Sequence, residues 1–173
     1  MSRVPELDVS NLNPEQLSVY QAIANGPRGG VQGPLAVWLN RPELADKAQQ
    51  LGQYCRYGSS LPPRLSELAI LTTAQIWNSA YEWKAHEPPA RKAGLSDEII
   101  QSLANFEDPV FINADESIVY RFTQELSTKR KVSDEIYQEA EDILGRGALI
   151  DLVGILGYYS LISMTINAFD IDS

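Results

Sequence analysis

Cysteine and histidine are almost absent from this sequence of 173 residues, in which Cys55 and His86 are the sole examples. A single cysteine cannot form an intramolecular disulfide or a cysteine-based metal cluster, and this favours a cytoplasmic protein. A single histidine cannot supply a metal site with two histidine ligands. The sequence also lacks a glycine-rich phosphate loop after a strand and the Gly-x-Ser-x-Gly motif of hydrolases. These absences argue against several common classes of catalytic site.

Basic residues are also scarce, because 14 lysines and arginines stand against 23 aspartates and glutamates, a net charge of −9 at pH 7. Such a balance argues against nucleic acid or an anionic membrane surface as a partner, since both attract basic patches. One basic residue inside a pocket could still bind a small anionic substrate. Residues 1–16 lack the apolar stretch of a secretory signal and the arginine-rich pattern of a transit peptide, which again leads us to expect a cytoplasmic protein.

Apolar residues are abundant enough for a buried core, at 44% hydrophobic against 21% charged residues. This composition predicts one domain over residues 1–173. A loop rich in glycine and proline, residues 26–40, follows the first predicted helix and either binds a ligand or merely connects two elements. Apolar periodicity and capping residues predict helices that begin at Pro14, near Asn40, at Ser66, after Asn78, at Ser96, near residue 116, after Ser133 and near residue 148.

The region of greatest chemical interest spans residues 64–95. If the chain is helical from Ser79 to His86, offsets of three, four and seven residues place Ser79, Glu82 and His86 on one face. An imidazole, whose ordinary pKa is about 6.5, can both give and take a proton near neutral pH. The pattern therefore predicts an acid/base pair, although a polar stripe facing water has the same spacing.

The relation of Glu67 to this stripe depends on a break in the helix. An unbroken helix would place Glu67 about 18 Å from Ser79. Asn78 is a good helix-capping residue, and a break there would let the two halves fold back on each other. We expect Pro88 and Pro89 to kink the chain or restart it, which would place the histidine at a bend.

Two other interpretations of these polar residues are weaker. Glu67, Glu82 and His86 could together bind a metal, but one histidine with two carboxylates is a sparse ligand set, and we expect no metal. Ser79 could act as a nucleophile only if a base lay within hydrogen-bonding reach. It lies two turns from His86, so direct contact between the two is not expected.

The last predicted helix, residues 148–169, is long enough to cross a membrane. Asp151 and Asn167 would be costly in hydrocarbon, and no asymmetry of flanking lysine and arginine anchors the segment. We therefore expect a buried helix or a subunit interface. Its apolar length exceeds what one small domain needs, so we also expect a homo-oligomer.

Residues 61–99 resemble the core of the carboxymuconolactone decarboxylase family, which includes alkylhydroperoxidase D. The resemblance rests on Arg64 and Glu67, on the Glu-Trp-x-x-His run at 82–86 and on the Ala-Gly-Leu-Ser turn at 93–96. Residues 42–54 and 151–169 also resemble longer members of that family. The resemblance implies an all-α fold of about seven or eight helices, with a family core at about 35–105 and a C-terminal helical part at about 115–169. It also implies a trimer or hexamer.

Alkylhydroperoxidases of this family have a Cys-x-x-Cys pair, and the matching positions here are Ser79 and Glu82. Peroxide reduction in that branch needs one thiolate to attack and a second thiol to resolve the product. Neither serine nor glutamate can replace sulfur in that cycle, so an alkylhydroperoxidase-like antioxidant activity is disfavoured. The matching positions for the family glutamate and histidine are Glu67 and His86.

The decarboxylase branch resembles this chain better, because it keeps the Glu-Trp-x-x-His run and needs no cofactor. The resemblance implies a cofactor-independent acid/base lyase that acts on a small cyclic carboxylic acid, like gamma-carboxymuconolactone decarboxylase, within the catabolism of aromatic compounds. We expect His86, Glu67 and Glu82 to be catalytic. The expected substrate-binding residues are Ser79, Arg64, Arg41 and Trp83.

A non-catalytic helical oligomer, serving as a binding or structural protein, is the alternative, because a fold does not guarantee an activity. This alternative predicts that Glu67 and His86 lie far apart or are occluded.

Overall fold

A computed structural model describes residues 2–5 and 7–171. Within these residues the chain forms nine α-helices and no strand, so the predicted all-α fold is confirmed. A short 3₁₀ turn at Val9–Asn11 and a π-helical segment at Tyr54–Gly58 complete the regular structure. The helices are α1 (Pro14–Ala24), α2 (Pro34–Trp38), α3 (Pro42–Gln53), α4 (Pro63–Ile76), α5 (Ala80–Lys92), α6 (Asp97–Ala104), α7 (Ala114–Lys129), α8 (Asp134–Leu144) and α9 (Arg146–Phe169).

Capping residues define several of these helices, as the sequence predicted. Asn13 caps α1, and its side chain accepts a hydrogen bond from the backbone N–H of Gln16, whose own side chain reaches back to Asn13. The Ser96 hydroxyl accepts the Ile99 N–H at the start of α6. Both bonds satisfy backbone donors that have no partner inside the helix.

Helix α4 lies at the centre of the molecule. Every residue from Leu65 to Ala74 is buried, and the helix packs against α5, α7 and α9. A helix that is buried on all sides belongs to the core of a domain. Glu67 therefore projects from the most enclosed element of the fold, where a carboxylate needs polar partners.

The predicted break between α4 and α5 is confirmed, but its cap differs by one residue. Helix α4 ends at Ile76, Asn78 has a left-handed backbone with φ of 49°, and Ser79 precedes the first residue of α5. Asparagine tolerates this conformation better than most residues, because its short polar side chain can bond locally. The turn folds α5 back along α4 and brings residues 67 and 86 together.

The prediction that Pro88 and Pro89 restart the chain is wrong. Helix α5 continues without interruption from Ala80 to Lys92, and His86 lies in its middle. Its buried residues, Glu82, His86 and Ala90, recur every four residues and therefore lie on one face. Packing of that face extends the helix past two residues that disfavour it.

Helix α3 ends at Gln53, and residues 54–58 form the π-helical segment rather than ordinary helix. The buried carboxylate of Asp151, on α9, anchors this segment. It accepts the Tyr54 hydroxyl at 2.6 Å and both the backbone N–H and the hydroxyl of Ser60, at 2.7 and 2.6 Å. Helix α2 lies within residues 26–40, which the sequence predicted to be a loop.

Within the described part of the chain, α9 is the one helix whose length and composition would suit a membrane span. In its most apolar stretch, 56% of the residues are buried inside the chain. The buried residues include the polar side chains of Asp151, Ser163 and Thr165. These features are those of a core helix, as expected from the sequence.

Candidate acid/base site

His86 and Glu67 form a direct contact across the α4–α5 pair. The distance from His86 Nδ1 to Glu67 Oε2 is 2.7 Å, and both residues are buried. A hydrogen bond of this length between an imidazole and a carboxylate fixes the orientation of the ring. The pair can form because the chain turns between α4 and α5, near the break that the sequence predicted at Asn78.

Glu82 lies one helical turn before His86, on the opposite side of the imidazole from Glu67. Its Oε2 is 3.4 Å from His86 Nε2, and the residue is 5% exposed. Burial raises the pKa of Glu82 above its ordinary value of 4.5, and the neighbouring positive groups only partly oppose this effect. The environment therefore favours the neutral, protonated form of this carboxyl group.

The two contacts give the imidazole nitrogens different roles. With Glu67 ionised, the Nδ1–H is donated to its carboxylate, and Nε2 is left as an acceptor that faces Glu82. The three groups form a short path along which a proton can move between Glu82 and His86. The ring of Tyr159 packs edge-on against the imidazole, with centroids 5.0 Å apart, and restricts its motion.

A cavity of about 220 Å³, which we call the His86 cavity, opens beside these groups. Glu82 and His86 line it, whereas Glu67 is absent from its wall and lies behind the imidazole. This placement gives Glu67 an orienting position and Glu82 direct access to a bound molecule. Other polar residues of the wall are Arg28, Arg56, Tyr158 and Tyr159.

Two arginines give the His86 cavity a positive wall, although the whole chain is acidic. Arg28 comes from the glycine-rich loop, and its Nη2 donates to the Tyr158 hydroxyl at 3.1 Å. The Arg28 Nε is buried and has no hydrogen-bond partner among the residues that the structure describes. Arg56 comes from the π-helical segment, with its guanidinium carbon 5.6 Å from the centre of the Tyr57 ring. A carboxylate in the cavity would satisfy these donors.

The two arginines predicted from the sequence lie elsewhere. Arg64 forms ion pairs with Asp115 at 2.6 Å and with Glu116, so its charge is already paired. Arg41 is exposed at the start of α3, and neither residue lines the His86 cavity. Sequence reasoning missed Arg28 and Arg56, because a single arginine in an irregular segment has no periodic pattern to indicate its partners.

Ser79 and Trp83 also lie away from the His86 cavity. Both line a separate apolar cavity of about 190 Å³. The Trp83 indole N–H donates to Glu87 at 3.2 Å, and neither residue lines the His86 cavity. The Ser79 hydroxyl is buried with no hydrogen-bond partner in the described part of the chain. Of the seven predicted site residues, the fold therefore brings together Glu67, Glu82 and His86.

The chain offers little for sulfur or metal chemistry. Cys55 is buried, and burial raises the pKa of its thiol to about 11, so the reactive thiolate is disfavoured near neutral pH. No group of three or more histidine, cysteine, aspartate or glutamate residues in ranges 2–5 and 7–171 has the geometry to hold a metal ion.

Comparisons with known proteins agree with this picture of the fold. Residues 42–115 match the model of the carboxymuconolactone decarboxylase family. A comparison with curated protein sequences finds no match. A crystal structure of an uncharacterized peroxidase-related protein from Silicibacter sp. TM1040 has a TM-score of 0.78 at 12% identity, over 99% of this chain and 91% of that one.

A second crystal structure, described as the alkylhydroperoxidase AhpD core of an uncharacterized peroxidase-related protein from Ralstonia eutropha JMP134, is equally similar. Its TM-score is 0.79 at 12% identity, again over 99% of this chain and 91% of that one. Similarity at this identity establishes the fold and not the activity. The match over residues 42–115 includes Glu67, Glu82 and His86, so these three residues lie in a region that is similar to the carboxymuconolactone decarboxylase family.

Proposed function

We propose that this protein is a cofactor-independent acid/base lyase that decarboxylates a small cyclic carboxylic acid, or transforms a related lactone or enol. The observation that supports this most is the 2.7 Å contact between Glu67 and His86, beside a cavity lined by Glu82 and two arginines. An acid, a base and an anion-binding wall are the groups that such a reaction needs.

Arg28 and Arg56 bind the substrate carboxylate. The unpartnered Nε of Arg28 and its neighbouring N–H groups can form charge-assisted hydrogen bonds to one carboxylate. These two residues replace Arg64 and Arg41 in the role of carboxylate clamp. The substrate ring is then held against Glu82 and His86, which share the cavity wall.

In the chemical step, the bond between the ring carbon and the carboxylate breaks, and carbon dioxide leaves. The electron pair remains on the ring, where a conjugated lactone carbonyl delocalises it. A proton from the neutral form of Glu82 is added to the ring carbon, and burial, which raises the pKa of Glu82, favours that form. His86 Nε2 then takes up a proton from solvent and passes it to the Glu82 carboxylate, while Glu67 holds the imidazole in position.

The two alternative functions receive less support. The binding or structural alternative predicts that Glu67 and His86 lie apart or are occluded, whereas the two residues are in contact and His86 lines a cavity. Both similar structures are described as peroxidase-related, but a thiol peroxidase needs a reactive thiolate. The single cysteine of this chain is buried, and its thiol pKa is about 11.

The test is turnover of a panel of unsaturated cyclic acids, beginning with gamma-carboxymuconolactone, followed by ultraviolet absorbance. We expect turnover by the native protein and a loss of about 100-fold or more in His86→Gln. Glu87→Gln is the matched control, because Glu87 neighbours His86 in sequence but lies outside the His86 cavity. Equal rates in His86→Gln and the native protein, or no turnover of any acid, would overturn the proposal.

A further inference from the structure

A second and larger cavity adjoins the His86 cavity. It has a volume of about 670 Å³ and lies between the N-terminal segment, α1, α2 and the end of the chain. We call it the N-terminal cavity. Most of the side chains around it are apolar, in contrast to the arginine and glutamate side chains of the His86 cavity. Among them are Val4, Leu7, Leu12, Val37, Leu39 and Ile171.

Tyr81 and Gln32 belong to the walls of both cavities. The two spaces therefore meet at these residues. Tyr81 packs directly on the backbone of Gly33, where an added methyl group would overlap its hydroxyl end. Gly33 also has a left-handed backbone with φ of 55°, which favours glycine. Absence of a side chain at residue 33 leaves room for Tyr81 at the boundary.

The two volumes suit different parts of one molecule. Ligand sites in proteins usually occupy about 300–1,000 Å³. At about 220 Å³ the His86 cavity falls below this range and holds little more than an acidic ring, whereas the N-terminal cavity at about 670 Å³ falls within it. A substrate confined to the His86 cavity would leave the larger cavity, around which most of the side chains are apolar, unfilled.

We propose that the substrate is a cyclic carboxylic acid with an apolar substituent. The acidic ring binds in the His86 cavity, and the substituent passes the boundary at Tyr81 and occupies the N-terminal cavity. Burial of the substituent against apolar side chains supplies affinity, while the arginines orient the reacting end. This inference rests on the proposed function for the carboxylate site and adds the class of substrate to it.

Calorimetric binding of two acids tests this proposal without a known substrate. Benzoate presents a ring and a carboxylate, and 4-butylbenzoate adds an apolar chain. We expect 4-butylbenzoate to bind the native protein at least about tenfold more tightly than benzoate. Val37→Trp fills the N-terminal cavity and should abolish this gain while benzoate affinity changes less than about twofold. Leu12→Trp fills the same cavity from a different segment, in case the first variant does not fold.

Val110→Trp is the matched control, because Val110 is exposed and lies outside both cavities. Val110→Trp should still bind 4-butylbenzoate more tightly than benzoate. Arg28→Gln should weaken the binding of both acids. Equal affinities of the native protein for the two acids, or a gain that survives in both filled variants, would overturn the inference and leave the carboxylate site intact. Failure of both acids to bind the native protein would overturn the carboxylate site itself, and this inference with it.

Discussion

At the scale of single residues, the site depends on two carboxyl groups whose environments differ. Glu67 lies behind the imidazole, does not line the cavity and accepts a short hydrogen bond from the ring. Glu82 faces the cavity, and burial raises its pKa, which favours the neutral acid. Pairs of titratable groups whose environments differ in this way divide the roles of acid and orienting base between them.

Replacement of Glu82 by glutamine should stabilise the protein more at high pH than at low pH. Above the ordinary pKa of 4.5, Glu82 of the unfolded chain loses its proton, whereas folded Glu82 has a raised pKa and retains it. The native protein therefore loses stability as the pH rises through this window, and glutamine removes that loss. Thermal unfolding of both proteins between about pH 4 and pH 8 measures the difference.

Glu87→Gln serves as the control for this comparison, because Glu87 is only partly buried and lies outside the cavity. It should show no such trend. A gain in melting temperature that is constant with pH, or larger at low pH, would contradict the neutral form assigned to Glu82.

At the scale of the elements, helix α5 positions the site despite two internal prolines. Proline has no N–H, so Pro88 and Pro89 remove the hydrogen bonds that the carbonyls of Lys84 and Ala85 would accept in an ideal helix. The helix persists because its buried face, which includes His86 and Ala90, packs against α4.

Replacement of Pro88 by alanine should stabilise the protein by about 1–2 kcal/mol, measured by urea unfolding. The new N–H can donate to the Lys84 carbonyl, and Pro88 is exposed, so no packing is lost. Pro42→Ala is the matched control, because proline at the first position of α3 removes no hydrogen bond within the helix and costs no stability. A destabilised Pro88→Ala protein would indicate that the proline conformation is required.

The π-helical segment carries Arg56 into the His86 cavity, and Asp151 anchors this segment through Tyr54 and Ser60. Burial opposes ionisation of Asp151, but the hydrogen bonds from Ser60 and Tyr54 prevail and lower its pKa. This stabilisation is present above the ordinary pKa of 3.8 and is lost as the pH falls through the lower folded-state pKa.

Replacement of Asp151 by asparagine should destabilise the protein by about 1–3 kcal/mol at neutral pH, because an amide cannot accept all three hydrogen bonds. The difference from the native protein should shrink below about pH 4. Benzoate affinity should also fall, since Arg56 loses its support. Unchanged stability and unchanged benzoate binding would contradict the anchoring role.

The elements differ in how far the sequence could predict them. Local signals were sufficient for the start of α1 at Asn13 and of α6 at Ser96, and for the break near Asn78. Local signals failed at Pro88, because tertiary packing extended the helix against the preference of proline. They also failed for Arg28 and Arg56, whose position depends on an irregular loop and on a carboxylate of α9 nearly a hundred residues further along the chain.

At the scale of the whole molecule, α9 presents an apolar stripe to solvent. Ile150, Val153 and Met164 are 66%, 46% and 48% exposed, and Gly157 lies between them on the same face. A contiguous apolar face of this kind is typical of an interface between copies of a chain. We propose that the protein forms a homo-oligomer through this face.

Light scattering should therefore give a mass that is a multiple of 19.2 kDa. Met164→Glu should shift the mass toward the monomer, because an unpaired charge within an apolar interface is costly. Leu17→Glu is the control on the exposed side of α1. A native mass of 19.2 kDa would contradict the proposal.

The central claim is that His86 and its two carboxylates deliver a proton to a carbon that has lost carbon dioxide. Turnover of gamma-carboxymuconolactone in heavy water, with the product examined by mass spectrometry, tests this claim most directly. We predict that one carbon dioxide is released and one deuterium is gained for each product molecule. Carbon dioxide release and deuterium incorporation should both be lost in His86→Gln and both be retained in Glu87→Gln. Turnover without carbon dioxide, or at an equal rate in His86→Gln, would contradict the claim.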